Sequence, residues 1–303
     1  MEISPDKIWN PKEWEAHANE LLRERYRAVS GYVPIPDLHE GDGGIEGFSL
    51  DGNAYQMYCP ENASTLNKLY EDQRDKMTAD IKKFISNKDK MIAFFGNTKI
   101  KRWILVVPNH QTRKIVAHAT KKTQEVIDAN LPYVDSDDFR VLVWDRSEFR
   151  KEETSLLSSG VAILKLSSIE VSEMDVTGYS GESAEFINNM DRKLSKLTKN
   201  PERVKRGKER LIKSVIISQN MLSELKQDYG EIYEQITSTT AARAAQLDLE
   251  VFDAAPETQS LRYQTETLVS QLQNKCSLHD DNIEEISRGA ISDWLMNCTL
   301  DFD

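Results

Sequence analysis

Two hydrophobic periods succeed each other along this chain. In "PKEWEAHANELLRERYR", Trp14, Ala18, Leu21, Leu22 and Arg25 recur at helical spacing, which predicts an amphipathic helix with a polar outer face. The next apolar segments, "IEGFSL" and "NAYQMY", flank Asp51-Gly52, a dipeptide suited to a tight hairpin turn. "LNKLYEDQRDKMTADIKKFIS" returns to the helical period, with Leu66, Leu69, Met77, Ile81 and Phe84 along one side. "RWILVVPN" and "FRVLVWD" are continuous apolar runs of strand length, as expected of strands buried on both faces, and "TRKIVAHATKKTQEVIDAN" between them is helical. The order helix, strand, strand, helix, strand, helix, strand builds a small α/β sheet.

After about Ser168 the strand signals fade. The polar stretch "SEMDVTGYSGES" (172–183) has two glycines and no strong period, and reads as a linker. Helical patterns occupy 185–198, 201–228, 230–250, 257–276 and 280–297, enough for a bundle or an antiparallel helical hairpin. The expected organisation is an α/β domain over 1–170 and an all-α domain over 184–303.

Composition narrows the class. Of 303 residues, 39% are hydrophobic and 29% charged, a balance that permits two ordinary cores. No apolar run approaches the roughly 20 residues of a membrane span, and "MEISPDKIWN" lacks the apolar centre of a signal peptide, so a cytoplasmic protein with no membrane partner is expected. Cys59, Cys276 and Cys298 are odd in number and widely spaced, which disfavours a disulfide framework or a zinc site. The net charge is −11, yet residues 191–213 hold ten Lys or Arg against three Asp or Glu. Lys205, Arg206, Lys208 and Arg210 within this segment are candidate phosphate contacts, with docking to an acidic protein as the competing use. No P-loop and no Gly-x-Ser-x-Gly occurs, so any ATPase activity would belong to a partner.

The candidate chemistry lies in "GDGGIEGFSLDGNAYQMYCPE" (41–61). Glu46 and Gln56 bracket the predicted hairpin, and two or three oxygen ligands are enough for Mg²⁺ or Mn²⁺, with the Met57 carbonyl as a third. Side chains alternate along a strand, so Gln56 and Tyr58 face the same way. Lys76 is the first choice for a nearby cation, ahead of Lys83 and Lys82. Lys76, Asp80 and Lys83 share one helix face.

"WEAHANELL", "GDGGIEGF" and "YQMY" together resemble the Mrr-type branch of the PD-(D/E)xK restriction-endonuclease-like superfamily. That branch has an acid in its first helix, a glycine-rich segment ending in an acid, and then Gln-x-Lys. The resemblance implies a restriction-endonuclease-like α/β fold, with Glu15 as the helix acid, Glu46 and Gln56 as metal ligands, and Tyr58 where the lysine should stand. "AYQMYCPEN", "DQRDKMTADIKKF" and the closing "SDWLMNCTLDF" resemble nuclease-like effectors of bacterial three-component ABC-ATPase defence systems, some of which carry an aromatic at the lysine position. Together the two resemblances imply a Mg²⁺- or Mn²⁺-dependent DNA endonuclease used in antiphage or anti-plasmid defence. Its catalytic residues would be Glu15, Glu46, Gln56 and Lys76. Its C-terminal helices would bind an SMC-like or other ABC-type ATPase subunit and a third subunit, with homo-oligomerisation open to the active form. The alternative is a catalytically inactive nuclease-like domain that binds DNA or assembles the same kind of complex.

Overall fold

A computed structural model describes residues 1–35, 43–61, 65–182, 184–250 and 260–297. The protein is a mixed α/β chain that divides into two compact units, one of residues Ile8–Leu156 and the other of Met1–Lys7 together with the chain from Leu157 onward. The first strand, β1 (Glu2–Ile3), belongs to the second of these.

The unit of residues 8–156 opens with α1 (Pro11–Arg25). Asn10 caps it by accepting the Glu13 N–H at 2.9 Å, and Pro11 occupies a first-turn position where no N–H is needed. Its buried stripe is Trp14, His17, Ala18, Leu21 and Leu22. Strands β2 (Tyr32–Pro34), β3 (Gly47–Ser49) and β4 (Asn53–Met57) then form an antiparallel meander. Helices α2 (Leu66–Ser86) and α3 (Lys88–Phe95) cross over to β5 (Arg102–Val106), and α4 (Arg113–Asp128) leads to β6 (Arg140–Trp144). β4, β5 and β6 run parallel, so the sheet order is β2-β3-β4-β5-β6.

Alternation along the strands sets the two layers. Phe48, Ala54, Trp103, Leu105 and Val141 share a core with Met77, Ile81 and Phe84 of α2 and Ile115 and Val126 of α4. On α1, Trp14 Nε1 donates to the Val106 carbonyl at 3.0 Å, and Tyr26, just beyond the helix, shares a 2.7 Å hydrogen bond between hydroxyls with Tyr55. From Trp103 to Val106, β5 is wholly buried, which accounts for its unbroken apolar run. β2 and β6 are the edge strands, and Pro34 gives β2 a position with no N–H to offer an incoming strand.

In the second unit β1 pairs in parallel with β7 (Ile163–Leu164), which follows α5 (Arg150–Ser158). Asn282 holds the chain beyond β7 by accepting the Leu166 N–H at 2.9 Å and donating to its carbonyl at 3.0 Å. The remainder is helical: α6 (Glu173–Glu182), α7 (Ala184–Leu197), α8 (Pro201–Asp228), α9 (Gly230–Glu250), α10 (Leu261–Gln273) and α11 (Asp280–Asn297). α8 and α11 approach closely at Gly289, where an added Cβ would lie 2.2 Å from Ser218 Cβ. No described helix is long and apolar enough to cross a membrane.

Two local expectations change. The segment expected to be a linker forms α6 as far as Glu182, and the expected hairpin gains β2 as a third strand. β2 spans three residues and is partly exposed, too short to register as a period. The polar α6 has almost no apolar face, so helical periodicity had nothing to detect.

A buried ionic cluster ties α1 to α5. His17 Nε2 lies 3.2 Å and Arg146 Nε 2.5 Å from Glu153 Oε1. Burial raises the Glu153 carboxyl, but the hydrogen bond with His17 and the charge and hydrogen bond of Arg146 outweigh it and leave it below the ordinary 4.5. A depressed carboxyl stabilises the fold above its unfolded value and stops doing so as pH falls through the folded value. Glu153→Gln should therefore cost about 3 kcal/mol at pH 7 in urea unfolding. The difference from wild type should shrink once pH drops below 4.5.

Candidate functional site

The glycine-rich approach to β3 is held by contact with α2. Gly43 and Gly44 have φ of 65° and 90°, conformations that side chains disfavour. A Cβ on Gly44 would sit 2.2 Å from the Asp80 carbonyl oxygen. Trp103 Nε1 donates to the Gly44 carbonyl at 3.2 Å. The chain leaves this contact as Glu46, whose N–H donates to Tyr55 O and whose carbonyl accepts from Ile35 N–H, each at 2.8 Å. Asp42 lies outside the described residues.

Glu46 and Gln56 meet as the sequence suggests. Gln56 Nε2 donates to Glu46 Oε1 at 2.6 Å and to the Met57 carbonyl at 3.3 Å, while Glu46 Oε2 accepts the Met57 N–H at 2.9 Å. Gln56 is fully buried, and its Oε1 has no hydrogen-bond partner among the described residues. A buried unsatisfied acceptor costs about 1–3 kcal/mol, so this oxygen is available to a water or a cation. The amide nitrogen bridges the Glu46 carboxylate and the Met57 carbonyl. Glu46 carboxylate, Gln56 Oε1 (after rotation of the amide) and Met57 carbonyl form a hard-oxygen donor set that fits Mg²⁺ or Mn²⁺. No group of three His, Cys, Asp or Glu that could hold a metal occurs among the described residues, and of the Glu46, Gln56 and Met57 donors only Glu46 is charged.

Lys76 lies beside Tyr58. Its Nζ is 6.0 Å from the centre of the Tyr58 ring. Nζ is also 2.8 Å from Asp80 Oδ2, in ion contact but off the hydrogen-bonding direction, while Lys83 Nζ donates to Asp80 Oδ1 at 2.9 Å. Asp80 is fully buried, a position a carboxylate holds only when paired. Tyr58 itself supplies no charge near neutral pH. Burial, then the charges of Asp72, Cys59, Asp75 and Glu61, push its phenol up to about 12, so it stays protonated and neutral near pH 7.

Glu15 is connected less directly. Tyr32, from β2, donates its hydroxyl to Asn19 Oδ1 at 2.7 Å, one helical turn from Glu15. Its phenol is raised first by burial and then by Glu46, with Arg23 opposing and Glu15 adding a smaller push. Both acids thus act on one hydroxyl that sequence reading did not single out. Glu20 instead forms an exposed pair with Arg23 at 3.4 Å. His110 Nδ1 lies 3.0 Å from Asp145 Oδ2 at the strand ends.

The four basic candidates of the other unit sit near the start of α8. Lys205, Arg206 and Arg210 are exposed, whereas Lys208 is half-buried and pairs with Asp191 at 2.8 Å. Lys208 is therefore already committed to a carboxylate.

Because Gly44 has positive φ and faces backbone, Gly44→Ala should lower stability by at least about 2 kcal/mol, measured by urea unfolding. Gly96→Ala, also at positive φ but with open space around it, should cost less. Equal losses would mean that the contact with Asp80 adds nothing.

Comparison with protein-family models, with curated proteins and with solved structures finds no match to this chain, so its site is read from its own chemistry.

Proposed function

We propose that this chain is a metal-dependent DNA endonuclease, with a restriction-endonuclease-like fold in its α/β unit. The observation that carries the reading is the pairing of half-buried Glu46 with buried Gln56, whose amide oxygen is unpartnered, in a unit that also sets a lysine over Tyr58. When bound, a divalent cation would polarise a phosphodiester and lower the pKa of a coordinated water. Glu46, Gln56 and the Met57 carbonyl would hold it. Lys76 would stabilise charge developing on the phosphate, and Glu15 would orient the water. Net hydrolysis places the water's hydroxyl on phosphorus and its proton on the leaving sugar oxygen.

Lys205, Arg206 and Arg210 would extend DNA contact through phosphates, with Lys208 contributing only if it leaves Asp191. The helical unit would bind an SMC-like or other ABC-type ATPase subunit that restrains cutting in a defence complex. In support, the chain has no P-loop of its own, and a cleft of about 370 Å³ between α8, α9 and α11 is lined by Leu222, Ile236 and Trp294. A cytoplasmic location goes with this role.

The second reading is a nuclease-like domain that no longer cuts. Its support is the neutral Tyr58 where a strand lysine would point. The deciding assay is cleavage of plasmid and linear DNA with Mg²⁺ or Mn²⁺, with the protein alone and with the products of neighbouring genes. Glu46→Ala and Lys76→Ala should each lower the rate by about 10²–10³-fold. Loss in Glu46→Ala alone would keep the nuclease and reject Lys76. Absence of cutting under every condition, with DNA still bound, would establish the inactive reading.

A further inference from the structure

α2 has cations on both flanks of its buried stripe. Lys76 and Lys83 lie on one side, and helical spacing puts Tyr70, Arg74 and Thr78 on the other. That second flank meets α4, where Thr78 Oγ1 and His118 Nε2 are 2.9 Å apart. Arg74 Cζ lies 5.6 Å from the centre of the Tyr70 ring, and Lys114 Nζ, from the first turn of α4, lies 5.6 Å from the same centre. The charges of Lys122, Arg74 and Lys121 act on His118, with Glu125 opposing them. Burial first and then these cations hold the imidazole below its ordinary pKa, so it remains neutral at pH 7.

Part of this charge is spoken for. Arg74 pairs with Asp75 at 2.7 Å and Lys122 with Glu125 at 2.6 Å. Lys114 and Lys121 are exposed, and among the described residues neither pairs with a carboxylate. They stand seven residues apart on one face of α4, about 10 Å along the helix. Gathering like charges around one ring is unfavourable in isolation, and cation–π contact offsets only about 0.5–1 kcal/mol at an exposed site. An anionic ligand would offset the rest.

The place of the cluster favours a polyanion bound for the site. Lys114 follows β5, and α2 follows β4. In the parallel sheet Met57 is in register with Val106, so both helices start at the strand end that carries Gln56 and Tyr58. Gln73 Nε2 donates to the Asn109 carbonyl at 2.8 Å and ties α2 to the loop that enters α4. We propose that the exposed surface along α2 and α4, through Arg74 and Lys114 beside Tyr70 and Lys121 further along α4, holds the phosphodiester backbone of nucleic acid on its way to the Glu46–Gln56 site. This inference rests on the nuclease reading and adds a binding surface in the same unit, separate from Lys205 and Arg206.

The test is binding of a short fluorescent DNA duplex to the full chain in EDTA, read by anisotropy across a salt series. Lys114→Glu with Lys121→Glu should weaken binding at least about tenfold and flatten the slope of log affinity against log salt by about 2. Both positions are exposed, and an unchanged unfolding curve would confirm that the variant folds. Unchanged affinity and slope would overturn the proposal, whatever Lys205→Glu with Arg206→Glu does, and so would failure of the wild type to bind. A polyglutamate peptide bound as tightly, with the same sensitivity to Lys114 and Lys121, would overturn it in favour of an acidic protein partner. Binding that depends on Lys114 and Lys121 without metal-dependent cleavage under any condition would keep the track and reject the nuclease.

Discussion

A buried carboxylate needs compensating charge, and Asp80 organises the candidate site by that need. Its backbone leaves room for Gly44 and for no larger residue, while its side chain draws in Lys76 and Lys83 from the same helix. The first contact settles where the chain turns into Glu46, and the second takes Lys76 away from the freely solvated state usual for lysines on helix surfaces. One residue thus couples the acid-bearing loop to the cation-bearing helix. The arrangement also leaves a positive charge beside Tyr58, because an ammonium group acts from where it stands, not from where its backbone is attached.

Much of the α/β unit was legible because its elements are long and periodic. The apolar stripe of α2 and the unbroken run of β5 announced themselves, and alternation put Gln56 on the same side of β4 as Tyr58. Glu46 and Gln56 could be paired from sequence because a tight turn brings adjacent strands into register, so local spacing becomes spatial proximity. Contacts between distant elements left no such trace. The hydroxyl of Tyr32 lies in the field of acids from α1 and from the β3 approach, and nothing in "GYVPIP" declares it. The cations around Tyr70 come from two helices separated by a strand. Their net effect depends on packing, whereas the basic run at 191–213 was conspicuous because its charges are consecutive.

The helical unit shows the converse, a motif that attracts attention for reasons packing can supply. In "SDWLMNCTLDF", the described part ends α11, and Trp294, Leu295 and Met296 are all buried. Closing a helical core is sufficient cause for those three residues. Cys298 and the residues after it lie outside the described chain.

The pairing of β1 with β7 has an effect on the order of events during synthesis. The chain's first strand finds its partner only after some 160 residues, and the whole α/β unit lies between the two. Contacts of such sequence separation form late, whereas compact units fold as they emerge from the ribosome. Residues 8–156 are therefore placed to fold first, with the helical unit completed afterwards around a segment made before them. In a protein of the proposed kind, the part that cuts would exist briefly before the part through which it is restrained.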